Sequence, residues 1–330
     1  CSCAAAVTAV LLVQTPAVSA EDCAQAMRLV AEARVLSTGS KEAEEKYRQA
    51  ANTCASLADA HYELGLNLLA QSRYGDAAAR FKEGIKIDAS LRMQLGLAEA
   101  QFNQRSYADA EKSYQGVLAK DERNIKALQG ISVVYHAQGK YTEAEDILRR
   151  ALQIEPGEAE LFFNLGIVLE ALQRSDEALV SYQAAIQRRP DYTAAHVNLS
   201  RLYLAQGRMR EAQDAANAAR LHRPNDLSVI LLIVRLAEAK GEYQTASREI
   251  EKAEALEPRN PAVLVSKGVL LAKLNRFTEA ENVLKSAVEL NPASAEAHGA
   301  LGWAYLKLEQ YAAAEQSLRQ AIQLNEADSF

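Results

Sequence analysis

The sequence predicts an all-α protein built from about nine helix-turn-helix repeats, and three observations lead to this fold class. Strong helix formers are abundant, whereas the 330 residues include only 15 Gly and 7 Pro. No alternating Val, Ile and Thr runs of strand length occur with hairpin turns between them. Prolines and alanines also recur at intervals of 34 residues, a period typical of stacked helical hairpins.

The first element is an apolar leader, residues 1–20, which differs in composition from the rest of the chain. Residues 4–13 (AAAVTAVLLV) form an apolar run that is too short to span a bilayer as a helix. The small residues 18–20 (VSA) then predict cleavage of a secretory signal before Glu21. No initiator Met and no basic segment precede the run, which indicates that the sequence is clipped at its N-terminus. The alternative interpretation is a cytoplasmic leader. The predicted localisation is periplasmic or secreted, with cytoplasmic as the alternative.

The repeats follow from prolines and alanines that keep their spacing along the chain. The prolines are Pro156, Pro190, Pro224, Pro258 and Pro292. The alanines are Ala43, Ala77, Ala110, Ala144, Ala178, Ala212, Ala246, Ala280 and Ala314. This register gives a degenerate repeat 1, 21–57, in which position 1 is residue 24. Repeats 2 to 9 are then 58–90, 91–124, 125–158, 159–192, 193–226, 227–260, 261–294 and 295–328.

Each repeat is expected to contain two antiparallel helices, A and B, joined by a short turn. Gly139, Gly207 and Gly241 mark the end of helix A, where a positive φ is favoured. Aromatic residues two positions later predict the start of helix B and are expected to plug the turn: Tyr74, Tyr107, Tyr141, Tyr243, Phe277 and Tyr311. The repeated prolines end helix B because proline cannot continue a helix. Small residues let the helices approach closely, so Ala178→Leu is expected to cost roughly 1–3 kcal/mol.

At these positions the sequence resembles the tetratricopeptide repeat family. Repeat 5 carries the family pattern at Phe162, Leu165, Gly166, Ala178, Tyr182, Ala185 and Pro190. Repeat 9 carries it at Leu301, Gly302, Tyr305, Ala314, Leu318 and Ala321. The resemblance covers nearly all of residues 24–328. It implies a right-handed α-α superhelix, or solenoid, whose concave face is lined by helix A and holds an extended peptide or a partner helix.

Catalysis, metal binding and cofactor binding find little support in the residues. His61, His196 and His298 share position 4 of their repeats, where other repeats carry apolar residues, so we interpret them as packing or rim residues. No zinc-type spacing, phosphate-binding loop, dinucleotide fingerprint or nucleophile elbow occurs. The formal net charge of −6 disfavours a nucleic-acid partner. We therefore expect no enzyme activity, no metal, no cofactor, no nucleic-acid partner and no transmembrane segment in the mature chain.

Two cysteines, Cys23 and Cys54, follow the predicted leader. Cys23 precedes the first helix A and Cys54 lies near the end of the first helix B, so antiparallel packing would bring the two together. A disulfide between Cys23 and Cys54, which are separated by 31 positions, would stabilise repeat 1 by roughly 3 kcal/mol on the loop-entropy model. Such a bond suits an exported protein. The alternative is two independent buried thiols.

The predicted partner site lies on helix A of repeats 5 to 7. Asn164 and Asn198 share position 6, and this pattern resembles the superhelical region of protein O-GlcNAc transferases, where successive asparagines hold a peptide backbone. Arg201 and Arg235 lie one turn further along, and positions 188–235 contain eight Arg against four acidic residues. We therefore expect a polar, cationic groove for an extended, acidic segment. The alternative is that these asparagines are merely common in such repeats and the arginines are solvated.

A second binding mode of the family is disfavoured, and a second surface is predicted at the last repeat. Chaperone-binding members carry a Lys at position 5 of one repeat, and no repeat here has it. In repeat 9, Leu318 and Ile322 are expected to be partly uncovered, which predicts either self-association or a native chain that continues beyond Phe330.

The predicted function is a non-enzymatic scaffold that binds a peptide or protein on its concave face. One alternative is a module of a larger system, either the substrate-recruiting arm of a glycosyltransferase or part of a polysaccharide-export or secretion assembly. Another is a structural assembly subunit that uses its ends rather than its groove.

Overall fold

A computed structural model describes residues 19–327, which form eighteen α-helices and no β-strand. The first nine helices are α1 (Ala20–Arg34), α2 (Lys41–Thr53), α3 (Ala58–Ala70), α4 (Tyr74–Ile87), α5 (Leu91–Asn103), α6 (Tyr107–Leu118), α7 (Ile125–Ala137), α8 (Tyr141–Ile154) and α9 (Ala159–Ala171). The other nine are α10 (Ser175–Arg188), α11 (Thr193–Ala205), α12 (Met209–His222), α13 (Leu227–Ala239), α14 (Tyr243–Leu256), α15 (Pro261–Lys273), α16 (Phe277–Leu290), α17 (Ala295–Lys307) and α18 (Tyr311–Ala327). The predicted all-α class is confirmed.

Most of the predicted leader, residues 1–18, lies outside the described range. Its last two residues begin α1, where Ser19 is the N-cap. The hydroxyl of Ser19 accepts a hydrogen bond from the backbone N–H of Asp22, and the Asp22 carboxylate accepts one from the backbone N–H of Ser19. This reciprocal capping box satisfies amides that the first turn of a helix leaves without partners.

The turns between helices A and B have the helix starts and the glycine conformations that the sequence predicts. Helix B begins at the predicted aromatic residue in α4, α6, α8, α14, α16 and α18. Gly139, Gly207 and Gly241 have φ of 74°, 72° and 74°. The side chain of Tyr311, however, is 64% exposed, so this aromatic residue does not plug its turn as expected.

The chain forms two compact units, one up to Val134 and one from Tyr135. In the N-terminal unit each helix from α1 to α6 packs against the next, and α1, α3 and α5 also pack on one another in order. In the C-terminal unit the same pattern links α8 to α18, with α11, α13, α15 and α17 in sequence. Among the residues described, none of the helices combines the length and apolar character needed to cross a bilayer.

Bulky side chains of helix B fill spaces left by glycines of helix A. Phe81 of α4 is fully buried. A Cβ added at Gly65 or Gly96 would lie 2.7 or 2.6 Å from its ring. Tyr182 of α10 has the same relation to Gly166 of α9, where the distance would be 2.5 Å. Glycine at these positions therefore lets an aromatic ring sit directly against a helix backbone.

Candidate partner-binding face

The odd-numbered helices of the C-terminal unit form one continuous face. Helices α11, α13, α15 and α17 approach one another in sequence, whereas the even-numbered helices described in this unit make no comparable contacts with each other. The side on which neighbours are closer is the inner side of a curved array. Helix A therefore lines the concave side of this unit.

A cavity of about 350 Å³ opens on this face between α11 and α17. Its apolar wall includes Val197, Leu231 and Leu232. Ala262 and Ser266 of α15 also line it, and their small side chains leave room that larger residues would fill. This volume falls within the range of ligand pockets in proteins, roughly 300–1,000 Å³.

Arg201 forms one charged edge of the cavity and is held by neighbouring helices. Its Nη2 is 3.0 and 2.8 Å from the two carboxylate oxygens of Glu170. The Glu170 carboxylate also accepts a hydrogen bond from the Tyr182 hydroxyl, which in turn accepts one from Asn198 Nδ2 at 3.3 Å. Burial and the bond to Glu170 both raise the pKa of Tyr182, so the phenol stays protonated and donates. The four side chains form one network across α9, α10 and α11.

Arg235 forms the opposite charged edge with Glu296. Arg235 Nη2 is 2.6 Å from Glu296 Oε1, so the pair joins α13 to α17, the two neighbours of α15. The two side chains are 49% and 61% exposed. An ion pair this exposed contributes about 0–1 kcal/mol. Glu170, in contrast, is only 19% exposed in its pair with Arg201.

The structure brings together three of the four residues predicted for the partner site. Arg201 and Arg235 line the same cavity, and Asn198 reaches Arg201 through the Tyr182–Glu170 network. Asn164 is half-buried on α9 and does not line the cavity. Arg201 and Arg235, two of the eight arginines behind the predicted cationic groove, are each paired with a glutamate.

The two glutamates were missed because they lie 31 and 61 positions from their arginines. Glu170 could have been predicted, because it lies on the repeat before that of Arg201 and successive repeats pack against each other. Glu296 is two repeats from Arg235, and only the curvature of the array brings them together.

Family models of the tetratricopeptide repeat match residues 62–125, 124–191, 169–236, 231–281 and 267–329. The chain belongs to the tetratricopeptide repeat family. Proteins of this family generally bind other proteins or peptides, and their fold is generally non-enzymatic.

Several solved structures share the fold. A protein from Parabacteroides merdae has a TM-score of 0.62 and 17% identity, over 76% of this chain and 99% of that one. A chain of the APC/C hetero-tetramer Cut9-Hcn1 has a TM-score of 0.62 and 16% identity, over 93% and 61%. Pseudomonas aeruginosa pilF has a TM-score of 0.53 and 22% identity, over 62% and 94%. At these identities the similarity supports the fold alone. A search of curated proteins finds no match.

Three histidines at position 4 contact the turn before their own tetratricopeptide repeat. The ring Nε2 lies within hydrogen-bonding distance of the carbonyl oxygen six residues earlier, and the pairs are His61 with Ala55 at 3.3 Å, His196 with Pro190 at 2.8 Å and His298 with Pro292 at 3.0 Å. The histidines thus hold the inter-repeat turn. Within residues 19–327 no group of three His, Cys, Asp or Glu side chains is placed to hold a metal ion.

The hairpin of α1 and α2 carries the predicted cysteine pair. The structure joins Cys23 and Cys54 with an Sγ–Sγ distance of 2.08 Å and a Cα–Cα distance of 4.9 Å. Cys23 lies in the first turn of α1 rather than before the first helix A, because Ser19 caps the helix upstream of it. Cys54 is the C-cap of α2 and is buried. The two cysteines are therefore placed for a disulfide, and we predict that this bond forms in the isolated protein.

Proposed function

We propose that this protein is a non-enzymatic scaffold that binds an extended protein segment on the concave face formed by α11, α13, α15 and α17. The observation that carries this proposal is the 350 Å³ cavity, which combines an apolar wall with a charged edge on each side. Such a site accepts one apolar side chain and orients its neighbours through polar contacts. The family's general association with protein binding supports the same function.

In this proposal Asn164 on α9 and Asn198 on α11, neither of which lines the cavity, supply polar contacts to the bound segment. An Asn amide can both donate to and accept from a peptide group. Asn198 uses one N–H on Tyr182, while Asn164 has no hydrogen-bond partner among the side chains and backbone groups that the structure describes. Asn164 therefore has both its amide N–H and its C=O groups for a bound segment.

A peptide selection with two blocking variants tests this function. The full chain would be used to select binders from a phage-displayed library of random 12-residue peptides. Ala262→Trp fills the cavity on the concave face. Val180→Trp fills a second cavity, of about 410 Å³, which Val180 of α10 lines together with α8 and α9 residues. We expect selected peptides to bind the parent and Val180→Trp but not Ala262→Trp.

The opposite pattern would assign binding to the Val180 cavity and refute the concave face. Equal binding by both variants would also refute it. Circular dichroism of each variant establishes that helix content is retained, so that lost binding is a local effect.

We further propose that the protein is exported and works in an oxidising compartment. The support is the Cys23–Cys54 geometry, since disulfides persist in the periplasm and outside cells but are rare in the cytosol. Fractionation of the source cells followed by mass spectrometry of the N-terminal peptide tests this proposal. A mature chain beginning at Glu21 in the exported fraction is expected, and a cytosolic chain with reduced cysteines would contradict it.

We also propose self-association through repeat 9. Leu318 and Ile322 of α18 are exposed, and Trp303 and Leu306 of α17 are exposed as well. Burying such apolar side chains between two copies would stabilise a dimer. Light scattering across a concentration series should show a rising mass for the parent and a constant monomer mass for Ile322→Lys. A constant monomer mass for the parent would contradict this proposal.

A further inference from the structure

The ion pair between Arg235 and Glu296 crosses the face on which the cavity opens. It connects α13 with α17, and the small residues Ala262 and Ser266 of α15, the helix between them, line the same cavity. A carboxylate of the chain itself thus lies at the edge of an apolar pocket, bound to an arginine.

We propose that Glu296 occupies the position of a ligand carboxylate, and that the groove selects segments in which an apolar side chain is followed by a carboxylate. The apolar side chain enters the cavity, and the ligand carboxylate replaces Glu296 on Arg235. This inference rests on the proposed function and names the chemistry of the segment bound there.

Arg235, rather than Arg201, is the group that exchanges partners. Removing Arg201 would leave the mostly buried Glu170 carboxylate with the Tyr182 hydroxyl as its one remaining partner among the described residues. Releasing Glu296 from Arg235 leaves a carboxylate that is already 61% exposed and that water can solvate at once. The Arg201–Glu170 pair therefore stays in place as a wall, while the Arg235–Glu296 pair opens at little cost.

The apolar part of the ligand follows from the cavity wall and its size. Val197, Leu231 and Leu232 offer hydrocarbon surface with no charge among them. The volume of about 350 Å³ is roughly twice that of an engineered apolar cavity of about 150 Å³ known to bind benzene. A phenylalanine or leucine side chain therefore fits with space for part of its backbone.

The position of Glu296 agrees with a site for negative charge. Ser228, Ala262 and Glu296 are each the second residue of their helix, and all three line the cavity. The N-terminal ends of α13, α15 and α17 therefore face it together. Asp226 already supplies a carboxylate at α13, whereas the neutral caps Asn260 and Ser294 leave the partial positive charge of α15 and α17 to favour another one. A ligand carboxylate would gain the same interaction as Glu296.

Calorimetric titration of the full chain with three short probes tests the inference. The probes are N-acetyl-Leu-Phe with a free carboxylate, N-acetyl-Phe-Asp-amide, and N-acetyl-Leu-Phe-amide as the uncharged control. The first two carry the carboxylate at a chain end and on a side chain, so the better binder identifies the source. The variants are Glu296→Gln, Arg235→Gln and, as control, Glu279→Gln, which removes an equally exposed ion-pair carboxylate on α16.

We expect Glu296→Gln to tighten binding of a carboxylate probe about threefold to tenfold, because the internal competitor is lost. Arg235→Gln should weaken it at least tenfold, and Glu279→Gln should leave it unchanged. Unchanged or weaker binding by Glu296→Gln, or equal binding of the amide control, would overturn the inference.

Failure of this inference is distinguishable from failure of the proposed function. If Ala262→Trp still abolishes binding of the selected 12-residue peptides while Glu296→Gln has no effect on the probes, the face binds partners without this exchange. If neither the selected peptides nor the probes bind in a way that Ala262→Trp blocks, both proposals are wrong.

Discussion

Arg174 and Glu145 join two successive repeats, because Arg174 Nη1 lies 2.6 Å from Glu145 Oε2. Arg73 makes the same contact with Glu44 at 2.8 Å. In both cases an arginine at position 16 reaches a buried glutamate at position 21 of the preceding repeat. The two pairs are equivalent points of contact in the two compact units.

Replacing Arg174 should destabilise the junction between repeats 4 and 5. In Arg174→Gln the buried Glu145 would keep only its pair with Arg149, and we expect a lower free energy of unfolding than in the parent. Arg276→Gln is the matched control, since Arg276 shares position 16 but pairs only with Glu279 of its own helix. Urea unfolding followed by circular dichroism measures both, and equal losses would show that the contact between repeats adds nothing.

Glu44 should make the stability of the protein depend on pH in the acid range. Burial alone raises the pKa of Glu44, but hydrogen bonds from Gln71, Arg48 and Arg73 outweigh it and lower the pKa from 4.5 to about 2. Since the folded pKa lies below the unfolded one, this stabilisation is complete above pH 4.5 and is lost as the pH falls towards 2.

Glu44→Gln should therefore lower stability at pH 7 and flatten its fall between pH 5 and pH 3 relative to the parent. Urea midpoints at several pH values measure this, with the exposed Glu42→Gln as control. Parallel pH profiles for the parent and Glu44→Gln would contradict the assignment.

Gly166 and Gly116 should respond in opposite directions to substitution by alanine. A Cβ at Gly166 would lie 2.5 Å from the ring of Tyr182, which is fully buried and held by Glu170, so Gly166→Ala should cost about 1–3 kcal/mol. Gly116 lies within α6 with nothing within 4 Å of its added Cβ, so Gly116→Ala should gain about 0.5–1 kcal/mol. Thermal unfolding compares the two variants, and a shift of the same sign in both would refute the packing explanation.

Peptide mapping without reductant should recover Cys23 and Cys54 in one linked peptide. Reduction is then expected to lower the stability of repeat 1 by about 3 kcal/mol, because the closed loop no longer restricts the unfolded chain. The Cys23→Ser, Cys54→Ser double variant is the control, on which reductant should have no effect. Alkylation of both thiols in the untreated protein would leave the pairing without support.

The local rules of the repeat were predictable from sequence, because they depend on residues close together in the chain. The helix starts at Tyr74 and Phe277 and the positive φ of Gly139 are examples. The sequence did not reveal that the same turn also forms without glycine. Five other residues at position 15 have φ between 59° and 64°: Ser72, Arg105, Gln173, Asn275 and Glu309.

These five turns form because backbone hydrogen bonds impose their geometry. The N–H groups of Ser72 and Arg73, for example, donate to the carbonyls of Leu69 and Leu68, each at 2.9 Å. This is the Schellman pattern at the end of a helix, and it outweighs the modest penalty for a side chain at positive φ. The Arg235–Glu296 pair was unpredictable for a different reason, since it depends on the curvature of several repeats together.

The Cys23–Cys54 link also determines how the chain would extend under mechanical load. A released repeat of 34 residues lengthens the chain by about 110–120 Å when fully extended. Repeats that pack only on their neighbours yield one after another, so a force–extension trace would show steps of this size. With the disulfide formed, the loop that it closes, across a sequence separation of 31, is shielded from tension. Under force, repeat 1 would therefore keep its length while the other repeats unravel.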